Sequence, residues 1–183
     1  MTASVALSLR PAILTAERMT FSEAVREHQD EVYGVALRIT GNRDAALDVT
    51  SATFLKAYRA FDRYDPSRPI RYWLLRIATN EAISHARRTT RELRHHAGVE
   101  SARELAARDD APDEATVARE ERERIRSAVA ALPDLYRVVV VLRYFNELSV
   151  GEIATITGRP ASTVGVQLLR GRALLRQSLQ GIS

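Results

Sequence analysis

The sequence predicts an all-α protein: two small helical domains joined by a flexible linker, the C-terminal one a helix-turn-helix. Three observations predict it. Apolar residues recur at helical spacing through most of the chain, capping-box pairs open two of the runs, and the periodicity lapses once, between His95 and Pro112. The chain of 183 residues is long enough for two small domains, and 45% hydrophobic with 27% charged residues is the composition of a folded protein. The expected division is an extension over 1–18, a first domain over 19–95, a linker over 96–113 and a second domain over 114–183.

The elements follow in order. Thr20 and Glu23 have capping-box spacing and open a helix with Phe21, Val25, Val32, Val35, Ala36 and Ile39 on one face. Gly41-Asn42 breaks it. Asp44 is expected to cap a second helix, carrying Leu47, Phe54, Leu55, Tyr58 and Phe61 inward. A turn with Pro66 and Pro69 leads to a third helix from Ile70, with Trp73, Leu74, Ile77 and Ala78 as its buried stripe. Gly98, Asp109-Asp110 and Pro112 mark the linker.

Val117, Ile125, Val129 and Leu132 restore the period until Pro133. The run Val138 to Val141 favours a strand by propensity. No second strand exists to pair with it, so a helix is expected, with Leu135, Val138, Leu142 and Phe145 on one face. Ser149 and Glu152 open a short helix with Ile153, Ala154 and Ile156. Gly158-Arg159-Pro160 turns the chain into a last helix with Val164, Leu168, Leu175 and Leu179 inward.

The charge is +4 and the pI about 9.8, which permits a nucleic-acid partner without requiring one. The absence of cysteine excludes a disulfide scaffold and a thiolate metal site, and fits a reducing cytoplasm. No apolar run reaches the roughly 18 residues of a membrane span. Met1 to Leu14 resembles a signal peptide only faintly, because Arg10 and Pro11 interrupt it. Met19, directly before the first cap, is an alternative initiator. Of the four histidines, His28, His85, His95 and His96, the adjacent pair His95-His96 lies in the expected linker with no carboxylate at ligand spacing, and no phosphate loop or nucleophile elbow occurs. No metal, cofactor or catalytic site is expected.

Two constellations carry chemistry. The last two helices have the spacing of a groove-reading helix pair, with Ser162, Thr163, Gln167, Arg170, Arg172 and Arg176 expected on the outward face. A plain packed hairpin shares parts of that spacing. The third helix runs into Arg76, His85, Arg87, Arg88, Arg91 and Arg94, with Tyr64, Tyr72 and Trp73 just upstream. Cations beside aromatic faces suit unpaired bases. Trp73 also falls on the apolar stripe, where a core role is the simpler reading. Asn80 can read a base edge or serve as an ordinary polar surface residue.

These segments together resemble an extracytoplasmic-function sigma factor, the minimal form of the main bacterial sigma family. Thr53-Phe54-Leu55-Lys56-Ala57-Tyr58 is similar to region 2.2, and Tyr72-Trp73-Leu74-Leu75-Arg76-Ile77-Ala78-Thr79-Asn80 to regions 2.3 and 2.4. Leu132-Pro133, Leu142-Arg143-Tyr144-Phe145, Leu148-Ser149 and Glu152-Ile153-Ala154 resemble region four. The resemblance implies a protein that binds the clamp and flap of core RNA polymerase and directs it to promoter DNA. Asp48, Phe54, Leu55 and Tyr58 would meet polymerase. Asn80, Arg76, Trp73, Arg87, Arg88 and Arg91 would serve the minus-ten element, where a base is extruded. Thr163, Gln167, Leu169, Arg170 and Arg172 would face the minus-thirty-five element. An anti-sigma partner is a further family expectation.

The chain departs from the family pattern in places. Leu47, Ser51 and Ala52 stand where acidic residues and glutamine are usual, and Ser84 replaces a common aspartate. Gly165, Val166 and Gln167 stand where Lys, Ser and Arg are common, and Gly171 replaces alanine. These departures keep two other readings open: a sigma-like interaction module without productive promoter recognition, and a helix-turn-helix repressor acting without polymerase.

Overall fold

The computed structural model describes residues 19–96 and 116–180; the expected extension over 1–18 and nearly all of the expected linker lie outside them. Seven helices are found among the described residues, and no strand. They are α1 (Phe21–Thr40), α2 (Arg43–Ala60), α3 (Ile70–His96), α4 (Thr116–Ala131), α5 (Asp134–Tyr144), α6 (Val150–Thr157) and α7 (Ala161–Gln180). A 3₁₀ turn, Phe61–Arg63, follows α2.

The caps explain where the helices begin. Glu23 N–H donates to Thr20 Oγ1 at 3.3 Å, and Glu23 Oε2 accepts from Thr20 N–H at 2.7 Å. The start of α2 corrects the expectation at Asp44: Asn42 is the cap, its Oδ1 accepting from Ala45 N–H at 2.9 Å. An Asn in extended conformation ahead of Arg43 reaches that orphan donor, whereas Asp44 already lies inside the first turn.

Helices α1, α2 and α3 pack on one another, and α4 to α7 form the second group. The face that α2 buries is made of small residues: Ala45, Ala46, Val49, Thr53 and Ala57. Leu47, Leu55 and Tyr58, expected inward, are instead 55%, 50% and 66% exposed. Small side chains let α2 lie close against its neighbours, and the large ones are left on the outer arc.

The valine run is a helix. Val138, Val139, Val140 and Val141 are all buried, because α5 lies among α1, α4, α6 and α7. A helix enclosed on every side can be apolar all round, and burial outweighs the strand propensity of valine. Leu135 and Phe145, expected on its inward face, are 46% and 39% exposed, since they sit at its two ends where neighbours run out. Leu179, near the end of α7, is likewise 38% exposed.

The two helical groups share one core. Val35, Ala36, Ile39, Leu75 and Ala82 of the first pack with Val129, Leu132, Val138 to Leu142, Ile153 and Ile156 of the second. Polar contacts hold the same seam. Glu31 accepts from Arg71 Nη2 at 2.6 Å and from Asn146 Nδ2 at 2.9 Å, and Arg71 Nη2 also donates to the Asn146 carbonyl at 3.0 Å. Burial pushes the Glu31 carboxyl up, but the Arg71 and Asn146 hydrogen bonds outweigh it and leave it below the ordinary value. Arg38 lies over the Phe145 ring, 4.7 Å from its centroid.

Arg137 is the largest fully buried side chain among the described residues. Its guanidinium donates to the carbonyls of Ile39 at 2.7 Å, Ala130 at 2.7 Å and Leu132 at 2.6 Å, with Asp134 Oδ1 3.2 Å away. Those carbonyls lie at the C-terminal ends of α1 and α4, where no helical N–H remains to pair them. One cation therefore closes two helix ends belonging to different groups.

Candidate nucleic-acid interface

Helix α3 builds the first surface. Arg76, Asn80, Ser84, Arg87 and Arg91 follow one another at spacings of three or four residues, so they form one stripe, and all five are exposed. Arg88 is exposed beside it. The opposite face buries Leu74, Leu75, Ala78, Ala82 and Ala86, which fixes the stripe outward. Thr79 is also buried, its hydroxyl donating to the Leu75 carbonyl at 2.8 Å. The side chain of Arg94 lies outside the described residues.

Trp73 is half-buried, within an aromatic cluster. Its ring centroid is 5.1 Å from Tyr64 and 6.4 Å from Phe61, and Phe21 bridges Phe61 and Tyr58 at 5.3 and 5.2 Å. The Tyr64 hydroxyl donates to the Arg68 carbonyl, closing the turn between α2 and α3. Burial, then the nearby Asp65 charge, raises the Tyr64 phenol above its usual value. Trp73 packs against the core cluster of Ala24, Val32, Ala57, Ile70, Leu74 and Ala78, in line with its place on the apolar stripe, but it is only partly buried. Tyr72 points elsewhere, to Glu152 of α6.

The second surface is the pair α6 and α7. Glu152 N–H donates to Ser149 Oγ at 3.2 Å, and Ser149 N–H to Glu152 Oε2 at 2.6 Å, completing the second capping box. Gly158 takes φ of 67° between the helices, a left-handed conformation that a side chain would strain. Val164 is fully buried behind the turn. Thr163, Leu169, Arg170 and Arg172 are exposed on α7.

Gln167 is not. Expected on the outward face, it is only 7% exposed, and its Oε1 accepts from Arg159 Nη1 at 3.0 Å. Position 167 lies beside the buried arc of Val164, Leu168 and Gly171, so the amide turns in to brace the turn. Gly171 itself is explained by packing. A Cβ there would stand 2.9 Å from Val140 Cγ2, so α7 can lie this close to α5 only without one.

The two surfaces adjoin. A Cβ at Gly158 would be 3.9 Å from Arg76 Nη2, and burial together with the Arg87 charge lowers the Arg159 guanidinium pKa. On α2, Asp48, Leu55 and Tyr58 are exposed and Phe54 is half-buried. Sequence reasoning missed Arg71, Tyr72, Asn146 and Arg137 as the seam between the groups. The one available signal was Arg137, a charge directly ahead of four valines.

No three His, Asp or Glu residues gather as a metal site among the described residues, and no described helix is long and apolar enough to cross a membrane.

Comparison with known proteins agrees with this layout. Sigma-70 region 2 matches residues 24–92 and Sigma-70 region 4 matches residues 122–175. The ECF RNA polymerase sigma factor SigW of Bacillus subtilis (strain 168) is 33% identical over 168 residues, covering 88% of this chain and 90% of SigW. In fold, the chain is similar to the sigma factor RpoE solved with the anti-sigma factor NepR from Bartonella quintana. That match has a TM-score of 0.74 at 21% identity and covers 89% of this chain and 98% of the other. CnrH, solved with the cytosolic domain of CnrY, gives a TM-score of 0.66 at 27% identity, covering 89% of each chain. With both sigma regions in order and SigW matched over nine-tenths of its length, the chain belongs to the extracytoplasmic-function RNA polymerase sigma factors, which direct promoter-specific transcription initiation.

Proposed function

We propose that residues 19–95 form the domain that opens the minus-ten element, and residues 114–183 the domain that reads the minus-thirty-five element, on one polymerase. The observation that carries this reading is the exposed stripe Arg76, Asn80, Ser84, Arg87 and Arg91, which has no acidic member and begins three residues after Trp73, itself paired with Tyr64 in an aromatic cluster. Arg76, Arg87, Arg88 and Arg91 hold the strand backbone, and Asn80 contacts the extruded base with both donor and acceptor. Extrusion costs a few kcal/mol, which contacts at the stripe must return.

Thr163, Leu169, Arg170 and Arg172 face the upstream element, while Gln167 acts behind them by holding Arg159. Asp48, Phe54, Leu55 and Tyr58 meet the polymerase clamp. Leu55 and Tyr58, with Leu47, make that contact more apolar than the usual acidic patch.

The elements are about 25 base pairs apart by their names, or about 85 Å at 3.4 Å per pair. Two groups sharing one core cannot reach both, so they part on polymerase. Residues 97–115 can extend to about 65 Å, which with the domains themselves is enough. The closed arrangement suits capture by an anti-sigma protein, such as the one held by RpoE in the Bartonella quintana complex. The protein works in the cytoplasm, where core polymerase resides, and supplies recognition rather than a catalytic group of its own.

Permanganate footprinting of promoter complexes tests the site assignment. Asn80→Ala should reduce melting and minus-ten selectivity while association with core polymerase stays unchanged. Wild-type melting in that variant would remove Asn80 from the site.

A further inference from the structure

The outermost face of α7 is not cationic. Val164, Gln167, Leu168 and Gly171 define its buried arc. Over its first four turns, at 100° per residue, the positions directly opposite are Ser162, Val166, Leu169 and Ala173, and all four are exposed. Val166 is 50% and Leu169 67% exposed. Thr163 and Arg170 border this strip on one side, and Arg172 and Arg176 on the other.

A helix lying in a major groove presents its central outward positions to base edges and its flanks to the phosphates of the two strands. The flanking arginines are placed for phosphates or for guanines at the strip's edge. The centre offers only one hydroxyl and aliphatic carbon. Of the groups displayed in the major groove, the one aliphatic carbon matches is the C5-methyl of thymine. Gln167, the glutamine of these turns, is committed to Arg159, and the other two glutamines of α7, Gln177 and Gln180, lie in its last turn.

Resting on the reading of α7 as the upstream-element helix, we infer that Val166 and Leu169 determine specificity by packing against thymine methyls, with Arg170 beside them. The upstream element therefore contains thymine, on either strand, at the steps under Val166 and Leu169. A second occupant of the strip, a protein surface, is disfavoured by its continuity with Thr163, Arg170 and Arg172, which would leave cations facing that surface.

The test uses the full chain assembled with core polymerase. Holoenzyme first selects duplexes from a pool randomised in the upstream element, and the selected thymines are then replaced one by one with uracil, which removes only the methyl. Each contacted methyl should be worth about fourfold in affinity, equivalent to about 0.8 kcal/mol per buried carbon. The uracil penalty at one step should vanish in Val166→Ala, and at a neighbouring step in Leu169→Ala. Selected elements without thymine, or uracil tolerated where scrambling the element abolishes binding, would overturn the inference. So would variants that lose association with core before DNA is added, which would assign the strip to polymerase. If wild-type protein fails to join core at all, the sigma reading falls with it, a result distinct from the others.

Discussion

The Tyr72 hydroxyl donates to Glu152 Oε1, while Glu152 Oε2 caps its own helix by accepting from the Ser149 N–H. One carboxylate thus serves two structures: the start of α6, and the junction between α3 and the helix-turn-helix. The Tyr72 hydrogen bond, then those from Ser149, hold the Glu152 carboxyl at about 2, against an ordinary 4.5. The same hydrogen bond raises the Tyr72 phenol.

A carboxylate lowered in the folded state adds stability that is present above its unfolded pKa and is lost as pH falls through the folded one. The junction should therefore hold at pH 7 and weaken between about 4.5 and 2. Glu31, also held low, adds to the loss in the same direction. Thermal melts from pH 7 to 3 should show the midpoint falling, and Tyr72→Phe should flatten that fall. Equal slopes in wild type and variant would remove Tyr72 from the linkage.

Arg137→Met should be severely destabilising. It strips donors from the buried carbonyls of Ile39 and Leu132 and from the partly buried one of Ala130, and each buried group left unpaired costs roughly 1–3 kcal/mol. Urea unfolding should show a loss of at least about 2 kcal/mol. A loss under about 0.5 kcal/mol would mean that these hydrogen bonds contribute little to stability.

Two glycines of α7 should respond in opposite directions. Nothing lies within 4 Å of a Cβ built at Gly165, so Gly165→Ala should gain about 0.5–1 kcal/mol from helix propensity alone. Gly171→Ala should lose stability, because its methyl meets Val140 and Tyr136. Urea midpoints of the two variants check the pair.

Arg170→Ala should weaken upstream-element recognition by about 1–3 kcal/mol, the worth of one good base contact. Gln167→Ala should leave base preference unchanged and lower thermal stability, because its amide braces Arg159. Competition binding with holoenzyme on matched and mismatched duplexes separates the two.

Much of this architecture was legible in the sequence because local signals agreed with the final packing. Thr20 with Glu23, Ser149 with Glu152, and Gly158 mark ends that the structure places where expected. The valine run could be assigned to a helix because no strand partner was available. The failures have a common cause. Periodicity shows that a helix has an apolar face but not how closely its neighbour approaches, so the alanine-lined face of α2 was passed over for Leu47, Leu55 and Tyr58. Gln167 was misplaced because its angle on α7 is at the edge of the buried arc. The seam at Glu31, Arg71 and Asn146 joins residues 40 and 115 positions apart, which no local pattern encodes.

Run-off transcription with purified bacterial core polymerase on genomic fragments is the most direct test of promoter-directed initiation. Discrete transcripts should appear only when the protein is present, with start sites sharing two sequence blocks at a fixed separation. No transcript from any fragment, together with no association with core at any ionic strength, would contradict the assignment.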